Sequence, residues 1–100
     1  MLNQVVLVGR LTEKPKFEND KKDCKIILAV PRSFKNENGE YETDFINCQL
    51  YGGIAQNTVD WIDKGELVGV KGRLQAVENN LCVIADKITF LSSKNNEDEK

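Results

Sequence analysis

Apolar positions along the chain fall into five short runs, which alternate with polar residues or are rich in β-branched side chains. Such runs are typical of β-strands. Pro31 is expected to end the second run, because proline lacks the backbone N–H that a sheet needs. Polar segments separate the runs, and Asn38-Gly39 in one of them is a hairpin signal. The five predicted strands are residues 4–11, 24–31, 44–51, 66–75 and 81–91.

Between the third and fourth runs, the period changes to that of a helix over residues 54–63. Four side chains share one helical face: Ile54, Thr58, Trp61 and Ile62. Trp61 lies on this apolar stripe, so we expect it in the core rather than against a ligand. Gly65 lies where the helix is expected to end. The order of elements is that of an all-β OB-fold, a five-stranded Greek-key barrel with a helix between strands three and four. A small sandwich with an incidental helix is the alternative.

The length and composition suit one small domain. The chain has 100 residues, of which 40% are hydrophobic, enough for a modest core. We expect residues 1–92 to form the domain and the acidic residues 93–100 to be a disordered tail. No apolar run reaches the roughly 20 residues of a membrane span, and MLNQVVLVGR does not have the pattern of a secretory signal. A cytoplasmic location without membrane contact is expected.

Cysteine and histidine usage narrows the chemistry. Cys24, Cys48 and Cys82 are odd in number and have no CxxC spacing, so small buried thiols are expected rather than disulfides or a zinc site. The chain has no histidine, which removes the usual general base and the commonest metal ligand. An enzyme is therefore the least favoured class, since Asp44 and Asp86 can be named as acids but nothing pairs them with each other. No cofactor and no metal are expected.

The third predicted strand has two different faces, because side chains alternate along a strand. Ile46, Cys48 and Leu50 form a plain core stripe. The opposite face carries two aromatic rings with two amides between them: Phe45, Asn47, Gln49 and Tyr51. This face is either a partly covered outer surface or a platform on which nucleic-acid bases stack, with amides that bond base edges or phosphates.

Cations lie near this face in the sequence. Because the formal net charge of the chain is −2, any anion-binding groove must come from the placement of the charges rather than from their total. Phe34 is flanked by Arg32 and Lys35, an arrangement that suits a base on the ring and phosphates on the charges. In the fourth strand, Lys71 and Arg73 are on the face opposite the apolar one. They form an ordinary solvated surface or a phosphate track. Further cations that can extend such a track are Arg10 at the end of the first strand, and Lys14 and Lys16 in the loop after it.

The first predicted strand is apolar on both faces at Val5, Val6, Leu7 and Val8. An antiparallel sheet commonly has one wet face. We therefore expect another subunit to cover the outer side of this strand.

Several segments together resemble the bacterial single-stranded DNA-binding proteins. The segments are MLNQVVLVGRLTEKP, LAVPRSF, NGEYETDFINCQLYGGIAQN and KGELVGVKGRLQ, which cover roughly residues 1–75. The resemblance implies an OB-fold that coats and protects single-stranded DNA in replication, recombination and repair, close to nucleoid DNA. It places the stacking rings on Phe34, Phe45 and Tyr51, and a DNA-proximal lysine on Lys64. It also implies pairing through the first strand, with a homotetramer expected and a homodimer as the alternative.

Four features depart from the family pattern. The hairpin between the last two strands is short (QAVENNL), Gly52-Gly53 replaces a Gly-Lys pair, and the loop before the second strand is shortened. The acidic tail lacks the hydrophobic tip by which the family recruits replication proteins, which leaves that recruitment open. The rival hypothesis is therefore a primosomal or accessory OB-fold module that acts mainly through protein–protein contacts.

Overall fold

The protein is described by a computed structural model that covers residues 1–18 and 23–91. It contains five strands and one helix, in the predicted order. The bounds are β1 Val5–Leu11, β2 Asp23–Lys35, β3 Tyr41–Tyr51, α1 Gly52–Trp61, β4 Leu67–Val77 and β5 Asn80–Phe90. The predicted acidic tail, residues 93–100, lies outside the described residues.

The strands close into a barrel in the order β1-β2-β3-β5-β4. Neighbouring strands are antiparallel except β3 and β5, which run parallel and pair only at Cys48↔Val83 and Gln49↔Ile84. The β2–β3 and β4–β5 hairpins both extend beyond this short seam, at the same end of the parallel pair. The closed five-stranded barrel with one helix confirms the OB-fold prediction and excludes the sandwich alternative.

The prediction that Pro31 ends the second strand is wrong. β2 continues to Lys35, and the register of its pairing with β3 shifts between Pro31 and Lys35. An irregularity of this kind is where a sheet tolerates a proline, because the ladder is already interrupted. β3 correspondingly begins at Tyr41 rather than at Asp44.

A tight turn connects the two strands of each hairpin. Asn36 closes the β2–β3 turn, since its side-chain oxygen accepts from the backbone N–H groups of Asn38 at 2.9 Å and Glu40 at 3.0 Å. Gly39 has φ +81° in this turn, as the hairpin signal predicts. The β4–β5 turn consists of Glu78 and Asn79, both with positive φ, which is the backbone of a type I′ turn.

The barrel interior is filled by alternate side chains of the strands together with residues from α1 and its end. Cys24 and Cys48 are fully buried, as predicted, whereas Cys82 is only half-buried. The only buried polar side chain among the described residues is Thr58, whose hydroxyl donates to the Ile54 carbonyl oxygen at 2.8 Å. The core cluster consists of Leu11, Cys24, Ile26, Leu28, Cys48, Leu50, Ala55, Ile62, Val68, Val70, Val83 and Ala85.

The prediction that Trp61 packs in the core is also wrong, because its side chain is 72% exposed. The helix ends at Trp61, two residues before the predicted end, and Ile62 has extended backbone angles. Ile62 therefore does not continue the helical stripe, and it is Ile62 that enters the core with 3% exposure. No helix among residues 1–18 and 23–91 is long and apolar enough to cross a membrane.

Candidate functional site

The outer face of β3 carries the row of aromatic and amide side chains that strand alternation predicts. Phe45 is 66% exposed, Tyr51 is 48% exposed, Asn47 is exposed and Gln49 is half-buried. These four residues are called the platform below. Because every second residue of β3 points into the core, all four side chains necessarily lie on the same outer face.

Strand pairing connects the platform to β2 and β1. Phe45 lies opposite Ala29 of β2, and Ala29 lies opposite Arg10 of β1. Opposed residues share a face of the sheet, so Arg10 lies in the same outer row as Phe45, two strands away. Its guanidinium donates to the carbonyl oxygen of Gly65 at 3.0 Å, and it remains exposed.

Three adjoining hollows follow the platform. The phenylalanine hollow, about 290 Å³, lies between β3 and the β4–β5 hairpin and is lined by Phe45, Ile46, Asn47, Leu74, Leu81, Cys82 and Val83. The tyrosine hollow, about 220 Å³, is lined by Lys25, Asn47, Gln49, Tyr51, Val77, Glu78, Asn80, Leu81 and Cys82. The loop hollow, about 460 Å³, lies between β2 and residues 12–18 and also includes Lys25.

Shared lining residues show that these hollows lie side by side. Asn47, Leu81 and Cys82 belong to both the phenylalanine and the tyrosine hollow, and Lys25 belongs to both the tyrosine and the loop hollow. The result is one groove across β3 and β2, with one exposed ring in each of its first two sections. The short β4–β5 hairpin forms the far wall of those sections.

Arg32 is engaged by two carboxylates. Its guanidinium lies 2.9 Å from Asp44 Oδ1 and 2.6 Å from Glu42 Oε1. The hydrogen bond from Arg32 holds the pKa of the Asp44 carboxyl below its ordinary value, and the two acids raise the pKa of Arg32. Arg32 is thus neutralised locally, so its predicted phosphate contact requires exchange of these partners.

The end of the β2–β3 hairpin adds two more exposed rings. Phe34 is exposed on β2, as the stacking prediction requires. Tyr41 is also exposed, and the Lys35 ammonium lies 5.8 Å from the centre of its ring, within the range of a cation–π contact. Alternation along one strand does not predict this contact, because the pairing of Tyr41 with Lys35 depends on the register shift after Pro31.

The remaining predicted cations either lie away from the platform or are paired with a carboxylate. Lys71 is on the outer face of β4 between Val6 of β1 and Lys87 of β5, so it faces the predicted subunit contact instead. Arg73 of β4 lies opposite Ile84 of β5, which in turn lies opposite Gln49 of the platform, but its guanidinium is paired with Asp86 at 3.1 Å. Lys64 is exposed in the turn between α1 and β4. Of these three cations, only Arg73 therefore shares an outer row with a platform residue, and its charge is engaged by Asp86.

Gln49 and Lys25 sit at the centre of the groove. The Gln49 amide donates to Glu18 at 3.3 Å and to the Cys24 carbonyl oxygen at 3.4 Å, which orients it across β2. Lys25 lies directly opposite Gln49. Sequence reasoning missed Lys25 and Leu81, because their place beside the platform depends on pairing between strands rather than on alternation within one.

The four apolar residues of β1 divide between two faces. Val5 and Leu7 are half-buried and pack against the core. These two side chains are therefore not available to the predicted subunit contact. Val6 and Val8 point outward and are 67% and 50% exposed. Their neighbours across the β1–β4 ladder are Lys71 and Gly69.

Metal-ligating groups do not converge in this groove. Over the part of the chain that the structure describes, no group of three or more cysteine, aspartate or glutamate residues could hold a metal ion. The three thiols are unpaired, and burial raises the pKa of Cys48 to about 12. The groove therefore offers rings, amides and cations for binding.

Comparison with known proteins gives matches over nearly the whole chain. The chain is 42% identical to single-stranded DNA-binding protein B of Bacillus subtilis, with 97% of this chain and 96% of that protein covered. It is 43% identical to single-stranded DNA-binding protein A of the same organism and 42% identical to single-stranded DNA-binding protein 1 of Staphylococcus aureus. In both cases 95% of this chain is covered, but it spans only 62% and 64% of those proteins.

A solved structure supports the same relationship. The barrel superposes on a deletion mutant of the single-stranded DNA-binding protein from Thermus aquaticus with a TM-score of 0.72 and 28% identity, covering 94% of this chain and 52% of that one. The model of the single-strand binding protein family matches residues 2–81. The matched segment includes the platform, the helix and all of β4. This chain belongs to the single-strand binding protein family.

Proposed function

We propose that this protein binds single-stranded DNA with little regard to sequence and coats it during replication, recombination and repair. The observation that carries the proposal is the platform, where two exposed rings and two amides share one outer face of the barrel. Bases of any sequence stack on exposed aromatic rings, with roughly 1–3 kcal/mol per base. The proposal contains no catalytic step. We also propose that the protein acts in the cytoplasm, with nucleoid DNA, because that is where a single-stranded DNA ligand of replication arises.

The bases are assigned to Phe45 and Tyr51 in the groove, and to Phe34 on the hairpin beside it. Asn47 is exposed between the two platform rings and is free to bond base edges. Gln49 is oriented by its contacts with Glu18 and the Cys24 carbonyl, so it presents a more fixed amide than Asn47. Tyr41 offers one further ring beyond Phe34.

Phosphate contacts are assigned by accessibility. Arg10, in the row of Phe45, and Lys35, at the hairpin, are exposed and meet no carboxylate within 4.0 Å among residues 1–18 and 23–91. Arg32 and Arg73 become available only if DNA phosphates replace their carboxylate partners. Lys64 and Lys71 lie off the platform, so they contribute if the strand continues around the barrel.

Titration of a fluorescently labelled dT oligonucleotide, followed by anisotropy at low and high salt, tests this function. We expect binding that weakens steeply with salt, since counterions are released from the phosphates. Oligonucleotides of dA and dC should bind comparably. Phe45→Ala and Tyr51→Ala should each weaken binding about 5- to 150-fold, the equivalent of 1–3 kcal/mol.

Trp61→Ala is the matched control, because it removes an exposed aromatic ring from the helix rather than from the platform. It should leave the affinity unchanged. Absence of dT binding by the wild-type protein at low salt would overturn the proposal and favour the accessory module that acts through proteins. Equal losses for all three variants would show that the platform has no special role.

We also propose that two or more chains associate through the outer side of β1, with a tetramer as the expected assembly and a dimer as the alternative. Val6 and Val8 are adjacent outward residues on one strand, and exposed apolar patches of this kind commonly mark contacts between proteins. The neighbouring Gly69 lacks a side chain that would hold a partner away, although the Leu91 side chain approaches it.

Sedimentation of the double variant Val6→Lys, Val8→Lys tests this assembly. We expect a wild-type oligomer and a folded monomeric variant, because the substituted side chains do not enter the core. Val77→Lys, at an exposed position at the end of β4, is the control and should remain an oligomer. A monomeric wild-type protein would refute the assembly without affecting single-strand binding by one chain.

A further inference from the structure

Lys25 occupies the junction of two sections of the groove. It lies on the outer face of β2 directly opposite Gln49, diagonal to Tyr51. Its side chain is exposed and lines both the tyrosine hollow and the loop hollow. Any strand that leaves Tyr51 toward residues 12–18 must therefore pass this side chain.

The charge of Lys25 is available to an incoming anion. Arg32 and Arg73 are each held by carboxylates, whereas within residues 1–18 and 23–91 no carboxylate lies within 4.0 Å of the Lys25 ammonium. Burial raises the pKa of the Cys82 thiol on β5, and the positive charge of Lys25 opposes that rise. The positive charge of the Lys25 ammonium is thus felt by the Cys82 thiol, which lines the same tyrosine hollow.

We propose that the Lys25 ammonium binds a backbone phosphate of the DNA strand at the point where the strand passes from Tyr51 into the loop hollow. This inference rests on the proposed function and adds a contact and a direction of travel to it. Lysine binds phosphate as a compact point charge, which suits a junction where the backbone turns. Lys14 and Lys16 line the loop hollow beyond it and supply further cations.

The salt dependence of dT binding measures this contact. Loss of one phosphate contact on a single strand reduces the slope of log K against log salt by roughly 0.7. Lys25→Gln should show this reduction and weaker binding at low salt, while Lys25→Arg should keep the wild-type slope. Lys87→Gln is the matched control, because Lys87 is an exposed lysine opposite Lys71, outside the three hollows.

Acetylation footprinting locates the contact independently of affinity. With an excess of dT oligonucleotide, Lys25 should be protected from an amine-reactive acetylating reagent, and Lys87 should stay reactive, as read by mass spectrometry. An unchanged slope for Lys25→Gln, or an unprotected Lys25 in the complex, overturns the inference while leaving single-strand binding intact. A wild-type protein that fails to bind dT overturns the proposed function itself. Equal thermal stability of the variants shows that the differences arise in binding.

Discussion

Arg32 and Asp44 form a two-point contact across the β2–β3 hairpin. Arg32 Nη2 lies 2.9 Å from Asp44 Oδ1, and Arg32 Nε lies 3.1 Å from Asp44 Oδ2. Such paired geometry matches the planar guanidinium to the carboxylate. The contact connects the two strands of the hairpin that carries Phe34 and Phe45, but it also occupies a cation two positions before Phe34.

Replacement of Asp44 by asparagine should strengthen DNA binding. The neutral amide of Asp44→Asn cannot neutralise Arg32, so the guanidinium becomes more available to phosphate, and the amide oxygen still accepts one hydrogen bond. We expect several-fold tighter dT binding at low salt and a steeper salt slope, measured by anisotropy. Asp60→Asn on α1 changes the net charge equally but lies away from the groove. Equal strengthening by both variants would mean that only net charge matters.

Gly72 is required by the close approach of β4 and β5. A Cβ atom at this position would overlap the Ile84 carbonyl oxygen, beside the register shift between Lys71 and Gly72. Gly72→Ala should therefore lower the free energy of unfolding by about 1–3 kcal/mol or more, as measured by urea denaturation. Gly69→Ala, in the same strand, meets its nearest atom at 3.6 Å and should cost much less. Similar losses for both would contradict this explanation.

The sequence alone predicts the platform because alternation is a local property of one strand. The positions of Phe45 and Tyr51 in the chain differ by an even number, so the two side chains share a face wherever β3 is placed. The cations are different, because the partners of Arg32 and the position of Lys25 depend on pairing between β2 and β3. Pairing register is set by the whole sheet and its bulges, so alternation along one strand predicts neither the partners of Arg32 nor the position of Lys25.

The boundaries of α1 illustrate the same limit. Hydrophobic period places Trp61 and Ile62 on one stripe, but the last helical residue depends on how the chain must turn to reach β4. Because the helix ends at Trp61, the side chains of the two residues point in different directions. Trp61 lies in solvent and Ile62 lies in the core. A period measured over ten residues cannot resolve a shift of two residues at its end.

Alanine substitution at these two neighbours tests the corrected assignment. Trp61→Ala should change the free energy of unfolding by no more than about 0.5 kcal/mol, as for other exposed positions. Ile62→Ala should cost about 2–5 kcal/mol, because it empties part of the core. Thermal or urea unfolding of the two variants gives the comparison. A larger loss for Trp61→Ala would show that this ring is covered in solution, for example by another subunit.

Cys48 makes stability sensitive to alkaline pH. Burial raises the pKa of its thiol from 9.0 to about 12, so the folded protein keeps the thiol neutral while the unfolded chain ionises it. For a group with a raised folded pKa, its contribution to stability is fully present below the unfolded pKa and is lost as pH rises toward the folded value. The affected range therefore begins near pH 9 and extends toward pH 12.

Cys48→Ala should make unfolding less sensitive to pH in this range. The variant is less stable than wild type at neutral pH, since it leaves a small cavity in the core. That difference should shrink by about 1–2 kcal/mol between roughly pH 9 and 10.5, because each pH unit above the unfolded pKa costs the wild type about 1.4 kcal/mol. Urea denaturation across this range measures it, with half-buried Cys82→Ala as the control that should show a smaller change. A difference between wild type and Cys48→Ala that is constant with pH would mean that water reaches the Cys48 thiol in the folded protein.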